Sequence, residues 1–329
     1  MRSAFFRALV ELAERDERVH LIVGDIGFGV TETFARRFPN RFLDVGVAEQ
    51  NMTGIAAGMA LCGKIVFTYS IANFPTLRCL EQVRNDVCYH RANVKIVAVG
   101  GGLAYGSLGA THHATEDLAI MRSLPQMVVV APGDPAEAAA ATQAVAAQDG
   151  PCYMRLGRAG EPNVHRRPVD LHLGKAIQIR DGNDLTLIST GGMLETADHV
   201  AERLRMAGMQ ARVLSMHTVR PLDVEAVLAA ARETCAVFTI EEHSVTGGLG
   251  GAVAEILAES CGRSITFKRF GLPSAFSSTA GSQEYLRAQY GLSTDSLAKA
   301  ILSLLEKSRT RSSGAPDDAD RVDLEEAHF

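Results

Sequence analysis

Residues 44–60 read DVGVAEQNMTGIAAGMA and join the end of an apolar run to a segment of small side chains. The preceding residues, RFLDVGV, have the apolar composition of a strand, whereas the residues from Glu49 onward have the composition of a helix. A strand followed by a helix is the repeating unit of a parallel α/β sheet. This unit places one acidic residue, Glu49, after the end of a strand and in the first turn of a helix.

The same alternation continues along the chain. Continuous apolar runs such as KIVFTYS and VKIVAVG alternate with helical segments such as DPAEAAAATQAVAAQ. Continuous runs are typical of parallel strands that helices cover on both faces. Prolines and charges interrupt the pattern after residue 160, and a second series then begins. The sequence predicts two doubly wound α/β domains (1–160 and 176–306), a linker (161–175) and an unfolded polar tail (307–329).

Composition excludes several classes of protein. A chain of 329 residues that is 47% hydrophobic can bury two cores. Its net charge of -5 is accounted for by the acidic tail, so the neutral body predicts no nucleic-acid binding. No apolar run approaches the length of a membrane span, and no membrane association is predicted. The six cysteines show no C-x-x-C pair or secretory spacing, which favours reduced thiols in the cytoplasm.

Glu49 is a candidate site residue because ligands of open α/β sheets bind beyond the carboxyl ends of the strands. The alternative is an acid that stabilises the helix N-terminus by a few tenths of a kcal/mol, up to ~1 kcal/mol. Gly54 and Gly58 follow within the predicted helix. Because a glycine inside a helix costs ~1 kcal/mol relative to alanine, they indicate close approach of a subunit, a ligand or the domain's own sheet. The residues alone leave these alternatives open.

Several segments in combination resemble the C-terminal half of transketolases, especially those split over two subunits. The segments are VGVAEQNMTGIAAGMALCG, THH at 111–113, RSLPQMVVVAPGD, HTVRPLD and EEHSVTGGLGGAVAE. The likeness extends from about Arg2 to Leu305. It implies a thiamine-pyrimidine-binding domain followed by a transketolase C-terminal-like domain. It also implies transfer of a two-carbon ketol unit between sugar or sugar-phosphate substrates.

The resemblance implies thiamine diphosphate as the cofactor. In this family the glutamate that matches Glu49 bonds N1′ of the aminopyrimidine and promotes loss of the proton from C2 of the thiazolium ring. Phe74 matches the aromatic residue that stacks on the pyrimidine, and Tyr69 is a second candidate for an aromatic contact. The alternative for a lone phenylalanine such as Phe74 is core packing.

The resemblance also implies residues that bind the substrate. His112 matches a histidine that donates and accepts protons at the substrate, which suits an imidazole that titrates near neutral pH. His113 stands where many relatives have glutamine, and the two adjacent histidines do not suit one shared metal ion. Arg2 and Arg158 match positions that hold a sugar-phosphate tail. For any single arginine, a solvated surface position is the alternative.

Two positions depart from the family pattern. Relatives carry a histidine and an aspartate that contact the donor sugar or its phosphate, and these align with Gly100 and Leu108 here. The apolar Leu108 cannot accept a hydrogen bond, and a buried hydroxyl without a partner costs ~1 to 3 kcal/mol. We therefore expect a changed donor, such as a ketose of other stereochemistry or a 2-oxo acid.

A partner subunit is expected from the resemblance. The family binds diphosphate and Mg²⁺ through a GDG motif followed by an asparagine, and this sequence lacks that motif in the right context. An N-terminal transketolase subunit would supply it, and two such pairs would form a dimer of heterodimers. The alternatives are a β-type subunit of a 2-oxo acid dehydrogenase or carboligase, and a non-catalytic scaffold subunit.

Overall fold

The computed structural model describes residues 1–312, which fold around two β-sheets. The strands are β1 Val19–Val23, β2 Phe42–Asp44, β3 Ile65–Ile71, β4 Val94–Val99, β5 Val128–Val130, β6 Cys152–Leu156, β7 Ile177–Arg180, β8 Leu185–Ser189, β9 Ala211–Ser215, β10 Thr218–Arg220, β11 Ala236–Ser244 and β12 Thr266–Leu272.

Helices connect the strands. They are α1 Arg2–Arg15, α2 Glu32–Arg37, α3 Glu49–Leu61, α4 Leu80–Gln82, α5 Asp117–Ser123, α6 Pro135–Ala147, α7 Leu194–Met206, α8 Val224–Glu233, α9 Leu249–Ser260, α10 Gln283–Gln289 and α11 Thr294–Ser312. Wide π-helical turns at Phe74–Arg78 and Val83–Tyr89 flank α4, and 3₁₀ turns form at Pro39–Arg41, Gly106–Leu108 and Gly191–Met193.

The sheet topology confirms the predicted α/β class. The first sheet has the order β10-β5-β6-β4-β3-β1-β2, and the second has the order β12-β11-β8-β9-β7. Most neighbouring pairs are parallel, as helix crossovers require. Two short edge strands that the sequence did not predict are antiparallel: β7 pairs with β9, and β10 crosses over to pair with β5 of the first sheet.

Strand β3 shows how the first sheet is covered on both faces. Successive side chains of a strand point to opposite faces. Phe67 and Tyr69 enter the apolar cluster under α1, whereas Val66 enters the cluster under α3. Ser70 lies on the α3 face and bonds the side chain of Glu49. The α3 face therefore holds the acidic residue that the sequence singled out.

Helix α3 packs through one apolar face. Met52, Ala56 and Ala57 are buried against the sheet, as the helical spacing of these residues requires. Gly54 and Gly58 lie on the exposed face, where an added Cβ atom would meet open space. The two glycines therefore do not serve packing on the chain's own sheet.

The glycine-rich segment 247–251 precedes α9 in the second half of the chain. The buried carboxylate of Glu241 accepts hydrogen bonds of 2.8 Å from the amides of both Leu249 and Gly250. An internal acid thus satisfies this helix N-terminus, which gives the segment a structural role. Burial raises the pKa of Glu241 from 4.5 to about 7, although these two amide bonds oppose the rise.

We expect this carboxyl to make stability depend on pH. An acid whose pKa is higher in the folded than in the unfolded state contributes most to the free energy of unfolding below its unfolded pKa of 4.5. This contribution is lost as the pH rises to about 7. The free energy of unfolding should therefore fall by about 3 kcal/mol over this interval through Glu241 alone. Urea unfolding of the full chain and of Glu241→Gln from pH 4 to pH 8 measures the difference. The exposed Glu259→Gln variant on α9 is the control, and equal pH slopes in all three proteins would contradict the assignment.

The last helix changes one predicted boundary. Helix α11 continues to Ser312, whereas the sequence predicted an unfolded tail from Lys307. The segment LLEKSRTRS favours helix strongly enough to continue it past that point. Residues 313–329, the rest of the predicted tail, lie outside the described residues. Among residues 1–312, none of the helices has both the length and the apolar character needed to span a bilayer.

Candidate active site

Glu49 is the first residue of α3 and is 2% exposed. The Ser70 hydroxyl donates to one carboxylate oxygen of Glu49 at 3.2 Å, and the Arg78 guanidinium donates to the other at 2.9 Å. A buried carboxylate needs such partners, because an unpaired charge in this position would be strongly destabilising. The arrangement fixes the carboxylate beside the carboxyl ends of β1 and β3.

Arg78 connects Glu49 to Phe74. Its guanidinium lies 4.3 Å from the centre of the Phe74 ring, in addition to its bond with Glu49. Phe74 and Arg78 are the first and last residues of one π-helical turn, and such turns are frequent at functional sites. The sequence did not single out Arg78.

His112 lies on the other side of Phe74. The two ring centres are 5.5 Å apart with an interplanar angle of 72°, an edge-to-face arrangement. The His112 ring is partly exposed and shares a hydrogen bond of 3.0 Å with the hydroxyl of Thr111. Glu49, Phe74 and His112 are thus brought together, with Arg78 between the first two.

The space between Glu49 and Phe74 fits a flat ring that carries a hydrogen-bond donor at its edge. The Arg78 guanidinium is planar, donates to the carboxylate and presents its face to the phenyl ring. An aminopyrimidine offers the same two kinds of contact. Arg78 is 48% exposed, so its side chain can leave the space between Glu49 and Phe74 without unpacking the core.

Buried contacts hold the His112 loop from below. Arg155 forms an ion pair of 3.0 Å with Asp117 and donates to the carbonyls of Ala114 and Glu242 at 2.6 and 3.0 Å. Arg155 is 5% exposed, so it is neither a surface residue nor a free anion ligand. Since Glu242 belongs to β11, the loop is attached to both sheets.

His113 points away from His112. Its Nε2 donates to the carbonyl of Gly106 at 3.2 Å, and its Nδ1 is buried without a partner. The ring lines a cavity of about 50 Å³ together with Leu77 and Phe276. His113 therefore does not lie beside Phe74 with His112, and its assignment to the substrate stays a prediction.

Arg2 and Arg158 meet at Tyr105. The Arg158 guanidinium lies 5.2 Å from the centre of the Tyr105 ring. Burial raises the pKa of the Tyr105 phenol, while the charges of Arg158 and Arg2 oppose that rise. A Cβ atom on Gly100 would lie 2.0 Å from the same ring, so Tyr105 fills the space that a side chain at position 100 would need. The two arginines and Tyr105 are a cationic cluster that suits an anionic group.

Tyr69, predicted as a second aromatic contact to the cofactor, lies apart from Glu49 and Phe74. The residue is 1% exposed and packs edge to face against Phe6 with ring centres 4.9 Å apart. It lies on the α1 face of the sheet, whereas Ser70 and Glu49 lie on the α3 face. Strand alternation is the reason, and burial also raises the pKa of Tyr69.

Leu108 lies in the 3₁₀ turn Gly106–Leu108 and is 52% exposed. An apolar side chain in this position offers no hydrogen bond to a sugar hydroxyl. Within residues 1–312, no group of three or more His, Cys, Asp or Glu side chains is arranged to hold a metal ion.

Comparison with known families identifies both halves of the chain. The family model described as "Transketolase, pyrimidine binding domain" matches residues 1–161, and "Transketolase, C-terminal domain" matches residues 174–297. These matches confirm the predicted order of a pyrimidine-binding domain followed by a transketolase C-terminal-like domain.

Two curated relatives match over nearly their whole length. The chain is 39% identical over 308 residues to a subunit of the apulose-4-phosphate transketolase of Phocaeicola vulgatus, covering 93% of this chain and 97% of that protein. It is 39% identical over 312 residues to a subunit of the 6-deoxy-6-sulfo-D-fructose transketolase of a Clostridium species, covering 94% and 96%.

A solved structure has the same architecture. It is described as a split gene transketolase in the form of an inactive β4 tetramer, and it superposes with a TM-score of 0.86 at 38% identity. The superposition covers 93% of this chain and 98% of that chain.

Proposed function

Because the chain belongs to the transketolase family, we propose that it is the C-terminal subunit of a split transketolase. The reaction is transfer of a two-carbon ketol unit between sugar or sugar-phosphate substrates, which makes the complex a transferase. The observation that carries the proposal is the grouping of Glu49, Phe74 and His112. These are the residues that the family resemblance assigns to cofactor and substrate.

Thiamine diphosphate is the proposed cofactor. When bound, it supplies a nucleophilic carbon and an electron sink for cleavage of a carbon–carbon bond. Glu49 would accept a hydrogen bond from its aminopyrimidine and exchange a proton with it, and the Phe74 ring would lie against the pyrimidine face. Movement of Arg78 out of the space between Glu49 and Phe74 would free the carboxylate and the phenyl ring for these contacts. Mg²⁺ and the diphosphate would be held mainly by the partner subunit.

His112 and the cationic cluster are the proposed substrate contacts. The partly exposed imidazole of His112 can donate a proton to a substrate oxygen or accept one from it. Arg2, Arg158 and Tyr105 would hold an anionic tail of the substrate.

The identity of the donor is not carried over from the relatives. Two relatives of equal identity, 39%, are named for different donors, apulose 4-phosphate and 6-deoxy-6-sulfo-D-fructose. Gly100 and Leu108 stand where the family pattern has polar side chains, and the Tyr105 ring fills the space beside Gly100. We infer a donor other than the ordinary ketose phosphates, and efficient use of xylulose 5-phosphate would contradict this.

A partner completes the proposed enzyme. The curated relatives are named as subunits, and the similar solved structure is described as an inactive tetramer of β chains. We propose an N-terminal transketolase subunit as the partner and a dimer of heterodimers as the assembly. The exposed Gly54 and Gly58 face of α3 suits close packing against a neighbouring subunit. All six cysteines are free, which supports a reducing compartment such as the cytoplasm.

Reconstitution tests this function. The chain alone, and the chain co-expressed with an N-terminal transketolase subunit, are assayed with thiamine diphosphate, Mg²⁺ and a panel of ketose donors and aldose acceptors. We expect two-carbon transfer from the pair and no measurable transfer from the chain alone. Release of CO₂ from pyruvate in place of ketol transfer, or turnover by the chain alone, would contradict the proposal.

A further inference from the structure

We propose that Asn73 is a positioning residue that fixes His112 relative to Phe74. The inference rests on the proposed function, in which His112 contacts the substrate and Phe74 contacts the cofactor. Asn73 is 8% exposed and is the second residue after the end of β3. Its side-chain hydrogen bonds go to backbone carbonyls and not to the Glu49 carboxylate or another charged group.

Both donors of the Asn73 amide are used on one loop. Its Nδ2 donates to the carbonyl of Thr111 at 3.1 Å and to the carbonyl of His113 at 2.7 Å. A side-chain amide has two N–H groups, and here each has one acceptor. The two carbonyls flank His112 on its N-terminal and C-terminal sides. Asn73 therefore binds the backbone around His112 from both directions.

The same residue is covalently attached to Phe74. The Phe74 ring meets the His112 ring edge to face with centres 5.5 Å apart. A movement of Asn73 would move Phe74 with it, and loss of the amide bonds would free the His112 segment. Asn73 thus sets the separation of the two rings through two hydrogen bonds and one peptide bond.

His112 has two other hydrogen bonds, and both are local. Its backbone amide donates to the carbonyl of Gly109 at 2.9 Å, and its partly exposed ring bonds Thr111. The preceding loop contains Gly109 with a positive φ of 79°, and the neighbouring His113 is directed to Gly106. Contacts from Arg155 and Ser244 begin only at Ala114 and Thr115. The two hydrogen bonds from Asn73 to the Thr111 and His113 carbonyls therefore act as a clamp on His112. Since a misplacement of 1 Å can cost about 100-fold in rate, this clamp matters for catalysis.

Three variants in the two-subunit complex test the inference. Asn73→Leu keeps the size of the side chain and removes both donors, and we expect kcat to fall about 10- to 100-fold. The Kd of thiamine diphosphate should change little, because Asn73 bonds only the Thr111 and His113 carbonyls and makes no hydrogen bond with Glu49. Asn73→Asp donates only when its carboxyl is protonated, so its kcat relative to wild type should rise as the pH falls. Thr76→Val is the control, since Thr76 is buried in the same segment and bonds only the carbonyl of Ala72 in the described structure.

A second measurement does not depend on turnover. Amide hydrogen exchange over residues 109–114 of the isolated full chain should become faster in Asn73→Leu and stay unchanged in Thr76→Val. Equal exchange in wild type and Asn73→Leu would overturn the clamp. Wild-type kcat in Asn73→Leu, or an Asn73→Asp ratio that is independent of pH, would overturn its role in positioning.

The two failures are distinguishable. If the wild-type complex transfers no ketol unit with any donor, the proposed function fails, while the exchange measurement still decides whether Asn73 holds the His112 loop. If the wild-type complex is active and Asn73→Leu is equally active, the positioning role alone fails.

Discussion

Glu49→Gln is expected to lower kcat of the two-subunit complex by about 10²- to 10⁴-fold, the usual contribution of a positioned acid–base group. Glutamine preserves the shape of the side chain, and its single carbonyl oxygen can still accept from Arg78 while its amide donates to the Ser70 hydroxyl, but it cannot exchange a proton with the aminopyrimidine. Exchange of the bound cofactor's C2 proton with D₂O, followed by NMR after acid quench, measures this step without knowledge of the donor. That exchange should slow by a comparable factor.

The matched control is Glu81→Gln. Glu81 is exposed on α4, close in sequence to Arg78, and forms no hydrogen bond or ion pair with Glu49 in the described structure. It should keep wild-type exchange and turnover. If Glu49→Gln also kept both, the chain would be a scaffold subunit that retains the fold without its chemistry.

His112→Ala is expected to lower kcat by about 10²-fold or more, with the C2 exchange rate left at the wild-type value. The reason is its location: His112 lies beyond Phe74, and its ring bonds Thr111 and not Glu49, so its proposed role is at the substrate and not in cofactor activation. Steady-state kinetics with the best donor from the panel, together with the exchange assay, separates the two roles.

The control for His112 is His199→Ala on the outer side of α7, which should leave both rates unchanged. Slowed C2 exchange in His112→Ala would contradict the proposal that Glu49 activates the cofactor and His112 acts only on the substrate. Unchanged kcat would remove His112 from the reaction.

The position of the site was predictable because it follows from topology. Parallel strands direct their carboxyl ends to one edge of the sheet, so Glu49 after β2 and the residues after β3 and β4 meet there. The proposed roles of Glu49, Phe74 and His112 came from a family resemblance, since position alone favoured a helix-capping acid and a core phenylalanine.

The location of Tyr69 could be predicted from the sequence. Tyr69 and Ser70 are neighbours on β3, and strand alternation puts them on opposite faces of the sheet. Since Glu49 packs on the Ser70 face, Tyr69 and Glu49 lie on opposite faces of the sheet. Alternation along the strand predicts this separation.

Arg78 and Asn73 were not predictable in the same way. Arg78 reaches Phe74 because the segment forms a π-helical turn, and no simple periodicity indicates such a turn. Asn73 bonds carbonyls that are 38 and 40 residues away in the chain, and its donors are visible only once the two loops are placed together. Strand β10 was missed because three residues carry too little pattern to predict a strand.

A crystal structure of the two-subunit complex with thiamine diphosphate and Mg²⁺ would test the role of Glu49 directly. We expect a Glu49 carboxylate oxygen within hydrogen-bond distance of an aminopyrimidine nitrogen, about 2.6 to 3.2 Å, with the Arg78 guanidinium displaced from the Phe74 ring. A pyrimidine bound elsewhere, with Arg78 still between Glu49 and Phe74, would contradict it.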